Sequence, residues 1–169
     1  LAPLLARWPG IRAPGHWSVY EASVRAIVGQ QVSTAAARGI CARLAAASVD
    51  AGDQPLFPSA AALATLGDQH FPMPGRRRET MQALGALWRE REEDADLDGL
   101  GQLRGVGPWT LAMVSMRGAG NPDAFPDTDL GVVKAWSALN TGASLKSCAA
   151  DWRPWRAYAA NLLWRSLSP

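Results

Sequence analysis

Two short stretches of this chain carry residue types whose spacing could do chemistry. The first is Leu100-x-x-Leu103-Arg104-Gly105-Val106-Gly107-Pro108-Trp109-Thr110, an apolar helix end, a Gly-Val-Gly turn and the start of a new helix. Two glycines around one apolar residue let the backbone turn tightly, with their amides facing outward beside a helix N-terminus. Such a turn can hold a phosphate without any basic side chain; equally, it can be a plain interhelical turn with a glycine cap. The second stretch is FPDTDLGVVKAW (125–136), in which Asp129 stands just before an apolar helical run. Read locally, Asp129 is a helix N-cap, and a helix N-terminus also favours a negative side chain.

Charge and composition narrow the chemistry further. The net charge is only +2 over 169 residues, so a polyanion would have to be held by a local patch. Arginine supplies nearly all the positive charge, Lys134 and Lys146 being the only lysines. Cys41 and Cys148 are far apart and outside any CxxC, which excludes a disulfide framework, a zinc site and a four-cysteine iron–sulfur cluster. His16 and His70 lack a partner at ligand spacing and are read as structural or surface residues. The eight tryptophans belong in a core or a ligand pocket, most of them in the core. No apolar run approaches the roughly 18 residues of a membrane span and no leader opens the sequence, so the chain reads as soluble and cytoplasmic, without a membrane partner.

The elements that must position these residues are helical throughout. Apolar periodicity predicts a helix over 17–28 with Val19, Ala22, Ala26 and Ile27 on one face. A second runs from Ser33 or Thr34 to about Ala46, and a short one from Ser59 to near Gly67. Residues 75–89 read as amphipathic with Met81, Leu84, Leu87 and Trp88 inward, ended by the acidic run from Glu90 to Asp96. Residues 48–58 read as a loop. Further helices are expected from Pro108 to about Arg117, Thr128 to Leu139, Ser144 to Trp152 and Pro154 to Ser166. Pro108 suits a first helical turn because it has no amide hydrogen to satisfy. The class is all-α.

The hairpin stretch resembles the helix-hairpin-helix of DNA repair glycosylases, whose form is L-x-x-L-x-G-[VI]-G-x-x-T-A; here Leu111 separates Thr110 from Ala112, and Arg104 replaces a common proline. FPDTDLGVVKAW resembles the segment that follows the hairpin in this helix-hairpin-helix (HhH-GPD) superfamily, where the catalytic aspartate precedes Leu-Gly. That implies Asp129, not Asp127, as the catalytic residue. Ile27-Val28-Gly29-Gln30-Gln31-Val32-Ser33 resembles the AlkA-type motif [IV]-[LV]-G-Q-x-V-S, and implies that Gln31 enters the duplex. WRPWRAYAANLLW (152–164) is similar to the closing helix of AlkA-type 3-methyladenine DNA glycosylases.

The resemblance runs from about Trp17 to Trp164 and implies two helical lobes around a cleft, with the hairpin at about 97–117. It implies a base pocket of Trp109, Trp164, Met113 and Tyr20, Met113 standing where tyrosine is common. DNA contacts fall on Gln31, Ser33, Leu103, Gly105, Val106, Gly107 and Thr110. The expected activity is release of alkylated purines from double-stranded DNA by base flipping and hydrolysis, in a monomeric, nucleoid-associated bacterial repair protein. A glycosylase for another damaged or deaminated base and a non-catalytic damage-binding module remain as alternatives. In bifunctional relatives a lysine occupies the position of Trp109 and forms a Schiff base, so no lyase step is expected. No metal or cofactor is implied, except for a monovalent cation at the hairpin–phosphate contact. The small β domain that precedes this region in many AlkA-type proteins is not seen, so residues 1–169 are read as a single domain.

Overall fold

A computed structural model describes residues 1–48, 57–91, 97–139 and 141–168, and contains no strand among them. Its helices are α1 (Ala2–Arg7), α2 (Val19–Val28), α3 (Thr34–Ala47), α4 (Ala60–Thr65), α5 (Gly75–Arg91), α6 (Leu97–Gly101), α7 (Pro108–Arg117), α8 (Leu130–Ala138), α9 (Leu145–Asp151) and α10 (Arg156–Ser166), with a single 3-10 turn at Asp68–His70. The helix starts follow from local chemistry. Ser18, Ser33 and Ser59 each sit in extended backbone and accept a hydrogen bond from the amide three residues on, satisfying a donor that has no partner inside the helix.

Several boundaries fall inside the expected ones for the same reason. α2 begins after Ser18 and α8 begins at Leu130, because Ser18 and Asp129 are caps and not helical residues. α10 begins at Arg156, two residues beyond the expected start at Pro154, with Trp155 as its N-cap residue. α5 continues to Arg91, past the expected break at Glu90; residues 92–96 of that acidic run, like 49–56 of the expected loop, lie outside the described residues.

The buried side chains form two apolar clusters. The first joins α2 to α5 through Ile27, Leu44, Leu63, Met81, Leu84 and Trp88, and reaches α7 at Val114. The second packs α8 and α10 around Val132, Ala135, Ala157, Ala160, Leu162 and Leu163, with Leu4 from α1 and Met116 from α7. Burying each such leucine contributes about 1.5–3 kcal/mol. α7 therefore belongs to both lobes, and the turn that starts it is fixed relative to both. No helix of the described residues is long and apolar enough to cross a membrane.

Candidate active site

The loop between α7 and α8 is tied down before it reaches Asp129. Arg156, at the start of α10, meets the Asp123 carboxylate with both arms of its guanidinium at 2.6 and 2.7 Å, and Arg153 approaches it at 3.1 Å. The Arg156 hydrogen bond holds the Asp123 carboxyl below the usual carboxylate range. The Ala157 amide adds a bond to the Pro122 carbonyl at 2.9 Å. These contacts fix the chain a few residues upstream of the α8 N-terminus.

At that N-terminus the Asp129 side chain meets three donors. Its Oδ1 accepts from the Val132 amide at 3.0 Å, which makes it the N-cap of α8. The same oxygen accepts the indole N–H of Trp164 from α10 at 2.8 Å, and Oδ2 accepts the indole N–H of Trp109 from α7 at 2.9 Å. Asp129 is thus at once the cap of α8 and the acceptor shared by two indoles from α7 and α10. Gly131 makes the arrangement possible: a Cβ there would lie 2.9 Å from Trp164 Cδ1 and 3.1 Å from Asp129 Oδ1. Arg117 stands with its guanidinium carbon 5.3 Å from the centre of the Trp164 ring and donates to the Pro14 carbonyl at 3.1 Å.

The hairpin lies on the other side of Trp109. Val106 N–H bonds to the Leu103 carbonyl at 3.0 Å, Gly105 adopts φ +92°, and Gly107 caps α7 without a side chain. Leu103 and Val106 pack on the first cluster and anchor the turn. Thr110 is buried and receives a hydrogen bond from Gln30 at 3.0 Å; the same Gln30 amide reaches the Gly105 carbonyl at 2.9 Å. The end of α2 is thereby clamped to the hairpin. Gln31, next in line, is exposed and stands at φ +56°, a conformation that L-residues seldom adopt. Ser33 lies just beyond, where its hydroxyl oxygen caps α3 by accepting from the Ala36 amide at 3.2 Å.

Asp129, Trp109 and Trp164 are thus in direct contact, and Gln31 and Ser33 follow the hairpin clamp in the chain. Met113 lies one helical turn beyond Trp109 on α7 and packs, half-buried, on the first cluster. Tyr20 packs on that cluster too. Its ring centre is 6.1 Å from Phe57 and 6.0 Å from Trp88, its hydroxyl donates to the Pro58 carbonyl at 2.9 Å, and burial raises its pKa. His16 sits beside Glu21 at 3.9 Å, with burial lowering its pKa, and both cysteines are free. Among the described residues no group of three or more His, Cys, Asp or Glu could hold a metal ion. Sequence reasoning missed Gln30, Gly131 and Thr80. The repeated glutamine and the glycine after Asp129-Leu130 were visible signals for the first two; nothing local pointed to the third.

Known proteins share this arrangement of helices. No family model matches the chain. A protein named probable bifunctional transcriptional activator/DNA repair enzyme AlkA, from Mycobacterium tuberculosis, is 38% identical over 99% of this chain, which spans 37% of that protein. DNA-3-methyladenine glycosylase 2 of Escherichia coli is 31% identical over 97% of this chain and 63% of its own length. Among solved structures, the Schizosaccharomyces pombe 3-methyladenine DNA glycosylase Mag1 in complex with abasic DNA superposes with a TM-score of 0.78 at 20% identity, covering 97% of this chain and 87% of that one. The chain thus covers only part of the curated relatives, with a helical fold that it shares with the yeast enzyme. Its helical fold is that of this 3-methyladenine DNA glycosylase, and nearly its whole length is similar in sequence to part of each of the two bacterial proteins.

Proposed function

We propose that this chain is the helical, catalytic part of a monofunctional DNA glycosylase that excises alkylated purines of the 3-methyladenine type. The observation that carries the reading is the Asp129 carboxylate, held by the indole N–H groups of Trp109 and Trp164 from two different helices. Breaking a C1′–N bond passes through a transition state with oxocarbenium character, and an anion fixed near the sugar stabilises the growing positive charge and can orient water. Its position is set in advance by three donors, so little reorganisation is required when the charge develops.

The same bonds define what the tryptophans can offer. With both indole N–H groups spent on Asp129, Trp109 and Trp164 can give a flipped base ring surface but no hydrogen bond. A purine alkylated at N3 or N7 is cationic and gains about 0.5–2 kcal/mol over an indole face. Recognition through ring surface tolerates several alkylated bases. Flipping costs a few kcal/mol, less at a damaged pair, and Gln31 is the side chain offered to the gap. The hairpin amides take a phosphate of the duplex, as a helix N-terminus does. The turn carbonyls of Leu103, Arg104 and Gly105 each accept one hydrogen bond and keep a second lone pair, so the donor chemistry suits a monovalent cation there.

The test is base release from duplexes containing 3-methyladenine, 7-methylguanine, hypoxanthine, ethenoadenine or uracil, with the wild type and Asp129→Asn side by side. The methylated purines should be released by the wild type, and Asp129→Asn should lower the rate by at least about 10²-fold while duplex binding persists. Wild-type release of uracil or hypoxanthine alone would overturn the alkylation assignment. Normal release by the variant would overturn the role of Asp129. Strands should stay intact, and borohydride should trap no covalent complex, because tryptophan holds the position of the lyase lysine and both Lys134 and Lys146 are exposed surface residues.

A further inference from the structure

Beside the hairpin, where it meets α5, lies a cleft of about 310 Å3 lined by Arg76, Glu79, Thr80, Ala83, Arg104 and Gly105. Its shape follows from one hydroxyl group. Thr80 is buried, and its Oγ1 lies 2.9 Å from the Arg76 carbonyl oxygen and 2.8 Å from that of Arg104, so its single proton is shared between α5 and the hairpin. A Cβ on Gly105 would come within 2.5 Å of that hydroxyl, and φ is +92° there, so glycine is what lets the turn close against α5. Two arginines distant in sequence are thereby set on the rim of one opening.

Among the described residues their charges meet no carboxylate. Arg78, two residues along α5, is held by Asp68 at 3.2 Å. Among the described residues no carboxylate comes within ion-pair distance of Arg76 or Arg104, Glu79 on the same rim included. Arg76, Glu79 and Arg104 are all exposed. The rim thus carries two cations and one anion directly beside the Gly105-Val106-Gly107 turn. A guanidinium fork matches two phosphate oxygens, and a pair of forks flanking one cleft suits a phosphodiester better than a carboxylate.

We infer that this cleft is a second backbone-phosphate site, in which Arg76 and Arg104 hold a phosphate next to the one taken by the hairpin amides. The inference rests on the reading of the hairpin as a duplex-binding element. It gives a chain of low net charge an electrostatic footprint on the α5 side of the turn, and the duplex tracks across α5 as well as over α7. Glu79 tempers the attraction.

The experiment measures the affinity of the full chain for an undamaged duplex across a salt series. The wild type, Arg76→Gln/Arg104→Gln and Glu79→Gln are compared, with Arg89→Gln as a control about 20 Å further along α5. Each lost phosphate contact lowers the slope of log affinity against log salt by about 0.9. The double variant gives up one phosphate, so raising salt fourfold, from about 50 to 200 mM, should weaken the wild type roughly 3.5-fold more than the double variant. Glu79→Gln should tighten binding, and Arg89→Gln should leave the slope unchanged. A double variant with the wild-type slope overturns the cleft alone. A slope change with Arg89→Gln of half or more of that of the double variant also overturns it, since net charge would then be the cause. A wild type that fails to bind duplex at all overturns the cleft and the hairpin reading together.

Discussion

Helices α7 and α8 end on the same neighbourhood with opposite chemistry at their first turns. α7 starts from Gly107, which brings no side chain to the amides behind it, whereas α8 starts from Asp129, whose carboxylate takes the Val132 amide itself. A helix N-terminus carries about half a positive charge in either case. The difference is what satisfies it. α8 supplies its own carboxylate, which indoles from α7 and α10 hold in place, whereas no side chain caps the N-terminus of α7. In the proposed reading one position of charge serves chemistry and the other binding, and Trp109, in the first turn of α7, links the two through its bond to Asp129.

Changing either tip should therefore separate the two properties. The largest effect belongs to Asp129→Asn, which keeps the size of the cap and removes the charge: base release falls by at least about 10²-fold and duplex affinity stays. Gly107→Asp makes α7 resemble α8. Nothing lies within 4 Å of a Cβ at position 107, so the side chain fits. Thermal unfolding should show a gain of a few tenths of a kcal/mol from the new cap. Duplex affinity in a filter or anisotropy assay should fall about tenfold, the equivalent of about 1.4 kcal/mol, as the added charge repels phosphate. Unchanged binding would mean that the α7 N-terminus is not used.

Trp164→Phe tests the other side of the comparison more gently. It removes one of three donors to Asp129 while leaving an aromatic ring, and a hydrogen bond to an ionised acceptor is worth about 1.5–3 kcal/mol. With Val132 and Trp109 still bound, single-turnover base release should drop roughly tenfold, and the affinity for undamaged duplex should not move.

How much of this could be read in advance depended on whether the cause was local. The helices and the caps at Ser33, Ser59 and Asp129 follow from residue type and apolar period over a few positions, whereas a catalytic role for Asp129 is implied by the resemblance alone. The pairing of Trp109 with Trp164 rested on the resemblance, since no period or spacing sets two indoles on one carboxylate. The clamp made by Gln30 is not legible locally, because its partners, Gly105 and Thr110, are 75 and 80 residues away. Thr80 looked like an ordinary helical residue until Arg104 was placed above it. Tyr20, expected with the pocket, packs on Trp88 and Phe57 and is tied to Pro58, contacts that one helix read alone does not reveal.

Gln31 leaves a trade-off of another kind. An L-residue at φ +56° costs about 1–2 kcal/mol relative to glycine, which occupies that region freely. Gln31→Gly should raise the melting temperature by relieving the turn, and remove the side chain that this protein would slide into the gap left by a flipped nucleotide. Laboratory selection for heat resistance would favour glycine at that position, and selection for survival of alkylating agents would restore glutamine.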